Sequence, residues 1–217
     1  MKLQKHLIGR SIRFLHIVSG QENVFVPDFV RGFQETFRFV DVPLKLEDFD
    51  TANKGATFRH GFFRGTVIDL FQIYDNGVLA EGKVSTEICD DFLDAVLAWA
   101  AEKFALAYAD EAGQRRAYVS ELVTVSDKEL MKTLSKLKAI GELLGEKVTS
   151  YGWKCPPFQP SGIHLAPNFN EEGVNAAGRF LLERRGGIPF ERNVYFSTAP
   201  LSTRDHMSVL ERLEEVL

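Results

Sequence analysis

Three residues in the middle of the chain, two carboxylates and a lysine, are of types that could do metal-assisted hydrolysis if the fold brought them together. Asp69 lies in one β-rich run, and Glu81-Gly82-Lys83 lies in the next. Two carboxylates can hold one or two Mg²⁺ ions, which stabilise charge building on a scissile phosphate. The lysine would orient or activate the attacking water. Glu35, on a preceding helix, could supply a third carboxylate. A second candidate is a thiol. Cys155 and His164 stand nine apart in a proline-rich stretch, with Lys154 adjacent. A nucleophilic thiol needs a base within hydrogen-bond reach and an electropositive setting, and this spacing fixes neither. Cys89 opens a helix beside Asp90 and Asp91, so any dipole effect on its thiol is opposed, and it reads as structural. His60, between Arg59 and Arg64, reads as part of a surface strand whose arginines lie along it.

Binding is the alternative use of such side chains. Ten of the 18 phenylalanines fall between Phe25 and Phe71. Phe29, Phe33 and Phe37 are spaced by four and would line one helix face, forming either a core stripe or the wall of a hydrophobic-ligand pocket. Residues 1–21 carry Lys2, Lys5, Arg10 and Arg13 and no acid. Taken from 26 basic groups, these four leave 22 against 30 acidic groups in the rest. The body is therefore a poor general polyanion binder. If an acidic surface is contacted, the basic start is where contact is expected. Leu3, Leu7, Ile8, Ile12 and Leu15 would turn inward there.

These side chains need elements to hold them. Pro27 suits the first turn of a helix that carries Phe29, Val30, Phe33, Phe37 and Val40 and ends before Pro43. Strands are expected over 57–63, 66–74 and 78–85, with turns at Arg64-Gly65 and Asp75-Asn76-Gly77. Ser85 or Thr86 caps the next helix, with Phe92, Leu93, Val96, Leu97, Ala100 and Phe104 on its apolar face. A strand follows over 117–125. Ser126 and Glu129 form a capping box that opens one long helix, with Leu130, Leu134, Leu137, Ile140, Leu144 and Val148 inward. Four of the eight prolines fall in 152–170, where 162–166 could form an edge strand. A hairpin over 179–198 and a helix capped by Ser202 or Thr203 complete the chain. Met207, Leu210, Leu213 and Leu217 make a narrow stripe on that last helix. It would pack on the protein's own sheet or on a second subunit. The hairpin, Ser-Thr, helix plan occurs at 66–106 and at 179–217, and reads as a common unit rather than a duplication.

The order helix, three antiparallel strands, helix, strand, with Asp69 on the second strand and Glu81-Gly82-Lys83 on the third, resembles the core of the PD-(D/E)xK nucleases. The resemblance covers residues 27–125. It implies a Mg²⁺-dependent nuclease, or a degenerate relative, with Asp69 and Glu81 as metal ligands and Lys83 beside them. The Pro-Asp half of that signature is missing. Register decides whether the three side chains meet. A three-residue turn pairs Tyr74 with Val78 and sets Asp69 opposite Lys83, sorting Ile68, Leu70, Tyr74, Val78, Ala80, Gly82 and Val84 onto an apolar face. Without a metal site, Asp69 and Lys83 would be a cross-strand ion pair, worth about 1 kcal/mol at most.

The 217 residues, 45% hydrophobic and 26% charged, describe a globular protein. The expected fold is α+β, mostly antiparallel, as one compact domain over 1–217. Possible sub-units are an αβββαβ-like core at 1–125 and a long helix, hairpin and final helix at 126–217. Two cysteines make no disulfide framework and fit a reducing, cytoplasmic setting. No apolar run approaches the about 18 residues of a membrane span. His-Glu-x-x-His, Cys-x-x-Cys, phosphate-loop and dinucleotide motifs are all missing, so no cofactor is expected beyond Mg²⁺ under the nuclease reading. The preferred expectation is a non-enzymatic, cytoplasmic binding or assembly protein. It would be a homo-oligomer or bind a protein partner through the last helix. A small-molecule sensor with a Phe-rich pocket is a further alternative.

Overall fold

A computed structural model describes residues 1–18, 26–109, 115–167 and 178–217. Its strands are β1 (Lys2–Phe14), β2 (His16–Val18), β3 (Ala56–Phe63), β4 (Thr66–Tyr74), β5 (Gly77–Gly82), β6 (Ala107–Ala109), β7 (Arg116–Val125), β8 (Gly162–Leu165), β9 (Phe180–Arg184) and β10 (Val194–Ala199). Its helices are α1 (Val26–Phe37), α2 (Thr86–Phe104), α3 (Lys138–Ser150) and α4 (Thr203–Val216). Eight of the strands form an antiparallel sheet, and β2 pairs with β6 apart from it. The fold is α+β. No described helix is long and apolar enough to cross a membrane.

The chain divides into two compact units. One holds His6–Glu121 with Pro200–Arg204. The other holds Met1–Lys5, Leu122–Ala199 and Asp205–Leu217. The two follow the same plan. In the first, β1 leads to α1, then β3, β4, β5 and α2, with strand order β3-β4-β5-β1. In the second, β7 leads to α3, then β8, β9, β10 and α4, with strand order β8-β9-β10-β7. The repeated hairpin-Ser-Thr-helix segment is thus the end of a repeat that spans each half. This corrects its reading as an isolated supersecondary unit. Side-chain identity between the halves is poor, so the repeat lies in topology.

The first unit is built on aromatic rings. α1 puts Phe33 and Phe37 against Phe39, Phe58, Phe71, Phe92 and Trp99. Val40 lies beyond the helix and is exposed, contrary to its expected place on the apolar face. β3 and β4 join through Arg64-Gly65, both at positive φ, as expected. Strict alternation then fails. His60 has φ 59, and Phe58 and Gly61, three apart, both face Phe39. Ile68 and Phe71 are likewise both wholly buried in one core. A left-handed residue inside a strand turns two successive side chains the same way, so the pattern of twos slips by one.

β1 also departs from expectation. It is a strand whose buried residues are Gly9, Ser11 and Arg13, while Leu3 is exposed and Leu7, Ile8 and Ile12 are half-buried. Gly9 is required there: a Cβ would sit 2.1 Å from the Val84 carbonyl oxygen. At the start of α2, Ser85 makes no capping bond. The cap is Thr203, whose Oγ1 accepts from the Thr86 N–H at 3.0 Å, while Thr86 Oγ1 accepts from the Thr203 N–H at 2.7 Å. Each of the two equivalent threonines thus caps the other's helix.

In the second unit, Leu122, Leu130, Met131, Leu182, Tyr195 and Leu210 form the core, with Met207, Leu213 and Leu217 packed against it. The stripe on α4 is therefore occupied by its own unit. That corrects its use as a partner surface. His206, on the same helix, is buried with its ring edge-on to Phe180. Burial lowers its pKa from 6.5 to about 4. Above pH 6.5 the neutral ring fits both states. As pH falls from about 6.5 towards 4, the unfolded chain takes a proton that the folded chain refuses, so stability drops by roughly 3 kcal/mol across that window. His206→Gln should flatten that part of the stability curve, read as urea midpoints between pH 7 and 4. An unchanged slope would contradict the assignment.

The expected long helix is broken. Leu130–Leu137 is a 3-10 helix, non-helical at Leu134, and α3 begins only at Lys138. Ser126 Oγ accepts from the Lys128 N–H at 3.0 Å, but Glu129 does not close a capping box. Its carboxylate instead takes Arg184 at 3.1 Å.

Candidate functional site

The Asp69, Glu81, Lys83 set does not assemble as a metal centre. β4 and β5 pair Tyr74 with Gly77 and Leu70 with Glu81, leaving a two-residue Asp75-Asn76 turn. The expected Tyr74–Val78 pairing, which set Asp69 opposite Lys83, is off by one. The buried face of this hairpin includes Ile68, Val78, Ala80 and Gly82 as expected, but Phe71 is buried where Leu70 and Tyr74 were expected. Glu81 is engaged from the neighbouring strand, where Arg10 Nε donates to its carboxylate at 2.6 Å. Lys83 is exposed past the strand end, and Glu35 is exposed on α1. Among the described residues, no three His, Cys, Asp or Glu side chains converge to hold a metal.

The other candidates resolve one by one. Cys89 is buried and its Sγ contacts the Gly9 carbonyl oxygen at 3.2 Å. Burial, with Asp90, Glu81, Glu87 and Asp69 nearby, pushes its thiol up to about 12, the reverse of a nucleophile. Cys155 Sγ contacts the Pro156 carbonyl oxygen, and His164 is exposed on β8. Phe33 and Phe37 are buried and surrounded by rings, so the space beside them is filled by side chains. Phe29 packs on Trp99 and Phe104. The basic start is also largely paired. Lys2 meets Asp127 at 3.5 Å, Arg10 meets Glu81, and Arg13 is only 5% exposed. Lys5 is exposed.

Arg13 leads to a cluster that the sequence conceals. Asp90 Oδ1 accepts from Ser11 Oγ at 2.5 Å, and from Arg13 Nε and Nη2 at 3.3 and 3.2 Å. Its Oδ2 accepts from the Tyr118 hydroxyl at 2.9 Å, with Arg116 at 3.8 Å. Asp94 takes Arg13 Nη2 at 3.0 Å. Burial and the bond to Asp90 raise the Tyr118 pKa, while Arg116 opposes the rise. Strand β1, strand β7 and helix α2 each supply part of the cluster. Both carboxylate oxygens of Asp90 are saturated by donors from the chain, so its role is to hold those elements together.

Among the described residues, an exposed apolar surface lies on and after α3. α3 turns Gly141 and Gly145 inward. A Cβ on Gly141 would lie 2.0 Å from the Phe158 carbonyl oxygen, and one on Gly145 would lie 3.1 Å from Pro157. This close packing fixes the rotation of the helix. Leu137, Ile140 and Leu144 are consequently left about half exposed, contrary to their expected inward face, and Leu143 is exposed beside them. Tyr151 and Trp153, beyond the helix end, are 74% and 71% exposed, and Phe158 is 46% exposed beside α3. Exposed apolar side chains of this kind mark an interaction site. The helical spacing of Leu137, Ile140 and Leu144 was legible in the sequence. The two glycines that turn it outward were the missed signal.

No model of a known protein family matches the chain, and neither does any curated protein.

Proposed function

We propose that this chain is a non-enzymatic binding or assembly protein that acts in the cytoplasm through the apolar surface of α3 and residues 151–158. The observation that carries the reading is the outward turn of Leu137, Ile140, Leu143 and Leu144, set by Gly141 and Gly145 on the opposite side. Such a stripe costs solubility unless a partner covers it. Aromatic side chains at its end supply large contact area with few torsions to order, as interface anchors do. The groups best suited to catalysis support the same reading, since Glu81 is held by Arg10 and the Cys89 thiol is buried. The cytoplasmic assignment rests on the two free thiols, Cys89 and Cys155.

A fluorescent hydrophobic dye tests the surface. The protein at low concentration should bind it, and Ile140→Glu with Leu144→Glu should remove most of that binding with an unchanged melting temperature. Equal dye binding by the two proteins, or none by either, would sink the reading.

A further inference from the structure

We infer that the partner on the α3 surface is a second copy of this chain, giving a twofold dimer built on α3 paired with α3. The inference rests on the binding role proposed above and names the occupant.

The repeat shows that this helix face is surplus to the fold. In the first unit, the helix between the leading strand and the hairpin strands is α1, and it places Val30, Phe33 and Phe37 in its own core. In the second unit, the 3-10 segment before α3 does that work through Leu130 and Met131. The helix that follows is therefore free to present Ile140 and Leu144 outward, in line with Leu137 at the end of the 3-10 segment, at spacings of three and four. Stripes of this kind interdigitate when two helices lie side by side.

The area also fits. The exposed parts of Leu137, Ile140, Leu143, Leu144, Tyr151 and Trp153 amount to on the order of 700 Å², against about 800 Å² contributed by each partner in a standard interface. The twofold axis of this dimer lies perpendicular to α3, so the surface meets itself with the helices antiparallel. Antiparallel pairing carries Lys136, before the helix, towards Glu146 of the other copy. The like ends of the two helix dipoles then lie apart. The anchors Tyr151 and Trp153, at the helix end, extend the contact at both edges.

Sedimentation of the full chain between about 1 and 200 µM tests this. The wild type should move from 24.5 kDa towards twice that mass as concentration rises. Ile140→Glu with Leu144→Glu should stay at monomer mass, with dissociation shifted at least 100-fold and circular dichroism unchanged. Val40→Glu, an exposed apolar site in the other unit, should dimerise like the wild type. A wild type that stays at 24.5 kDa overturns the second copy as partner. Dye binding at Ile140 and Leu144 would then leave the binding surface standing, whereas loss of both results removes both proposals. An assembly that the double substitution does not dissociate also overturns the inference.

Discussion

Phe33→Ala should destabilise the first unit by about 4 kcal/mol, the largest effect of any single truncation in the chain. The ring is wholly buried, and its centroid lies 4.8 to 5.8 Å from those of Phe29, Phe37, Phe39, Phe58, Phe71 and Trp99. Removing it takes away transfer free energy and leaves a cavity. The neighbours are rigid rings from α1, β3, β4 and α2, so they close it poorly. A domain of this size holds roughly 5–15 kcal/mol in total, so the variant stands near the limit of folding. Urea unfolding checks the value. A loss under about 1.5 kcal/mol would mean that the space beside Phe33 is open, which would revive a ligand pocket lined by Phe29, Phe33 and Phe37.

Asp90→Ala should cost about 3 kcal/mol, and for a different reason. The lost carboxylate leaves Ser11, Arg13 and Tyr118 without their shared acceptor, and Arg13 is only 5% exposed. Removing one partner of a buried pair strands a charge, which costs more than the pair contributed. Asp94 still holds Arg13 at 3.0 Å, which keeps the loss at the low end of that class. The melting temperature should fall by roughly 10 °C. Arg13→Met combined with Asp90→Leu should recover part of the loss, because an apolar replacement of similar volume strands no charge. If the single variant melts within 2 °C of the wild type, the cluster is hydrated rather than structural.

These two sites differ in how they could be read from sequence. Phe29, Phe33 and Phe37 recur every four residues behind Pro27, so one helix face was legible. The Arg64-Gly65 turn and the repeated Ser-Thr before α2 and α4 were equally plain. The Asp90 cluster draws its members from 11–13, 90–94 and 116–118, and no local pattern joins positions so far apart. β1 misled because its buried residues are Gly9, Ser11 and Arg13. Only the carboxylates arriving from α2 make that face an interior.

The nuclease-like constellation failed for a backbone reason. Asp69 faces Lys83 only if a three-residue turn joins β4 and β5. The two-residue Asp75-Asn76 turn shifts that pairing by one, and His60, at φ 59, separately breaks the alternation of β3. A histidine at positive φ leaves no trace in hydrophobic periodicity. α3 failed in the opposite sense. Its apolar stripe was correctly located, but two glycines decided which way it faces. Glycine is read as a helix weakener at such positions, yet Gly141 and Gly145 admit the backbone of 156–158 where no larger residue fits.

In the proposed dimer, the outward face of α3 is covered by the same face of another copy. Amide hydrogen exchange, followed by segment at two protein concentrations, reads it directly. At about 200 µM, amides of residues 138–151 should exchange at least tenfold more slowly than at 1 µM, with β3, β4 and α1 unchanged. Equal exchange of residues 138–151 at both concentrations would contradict the account.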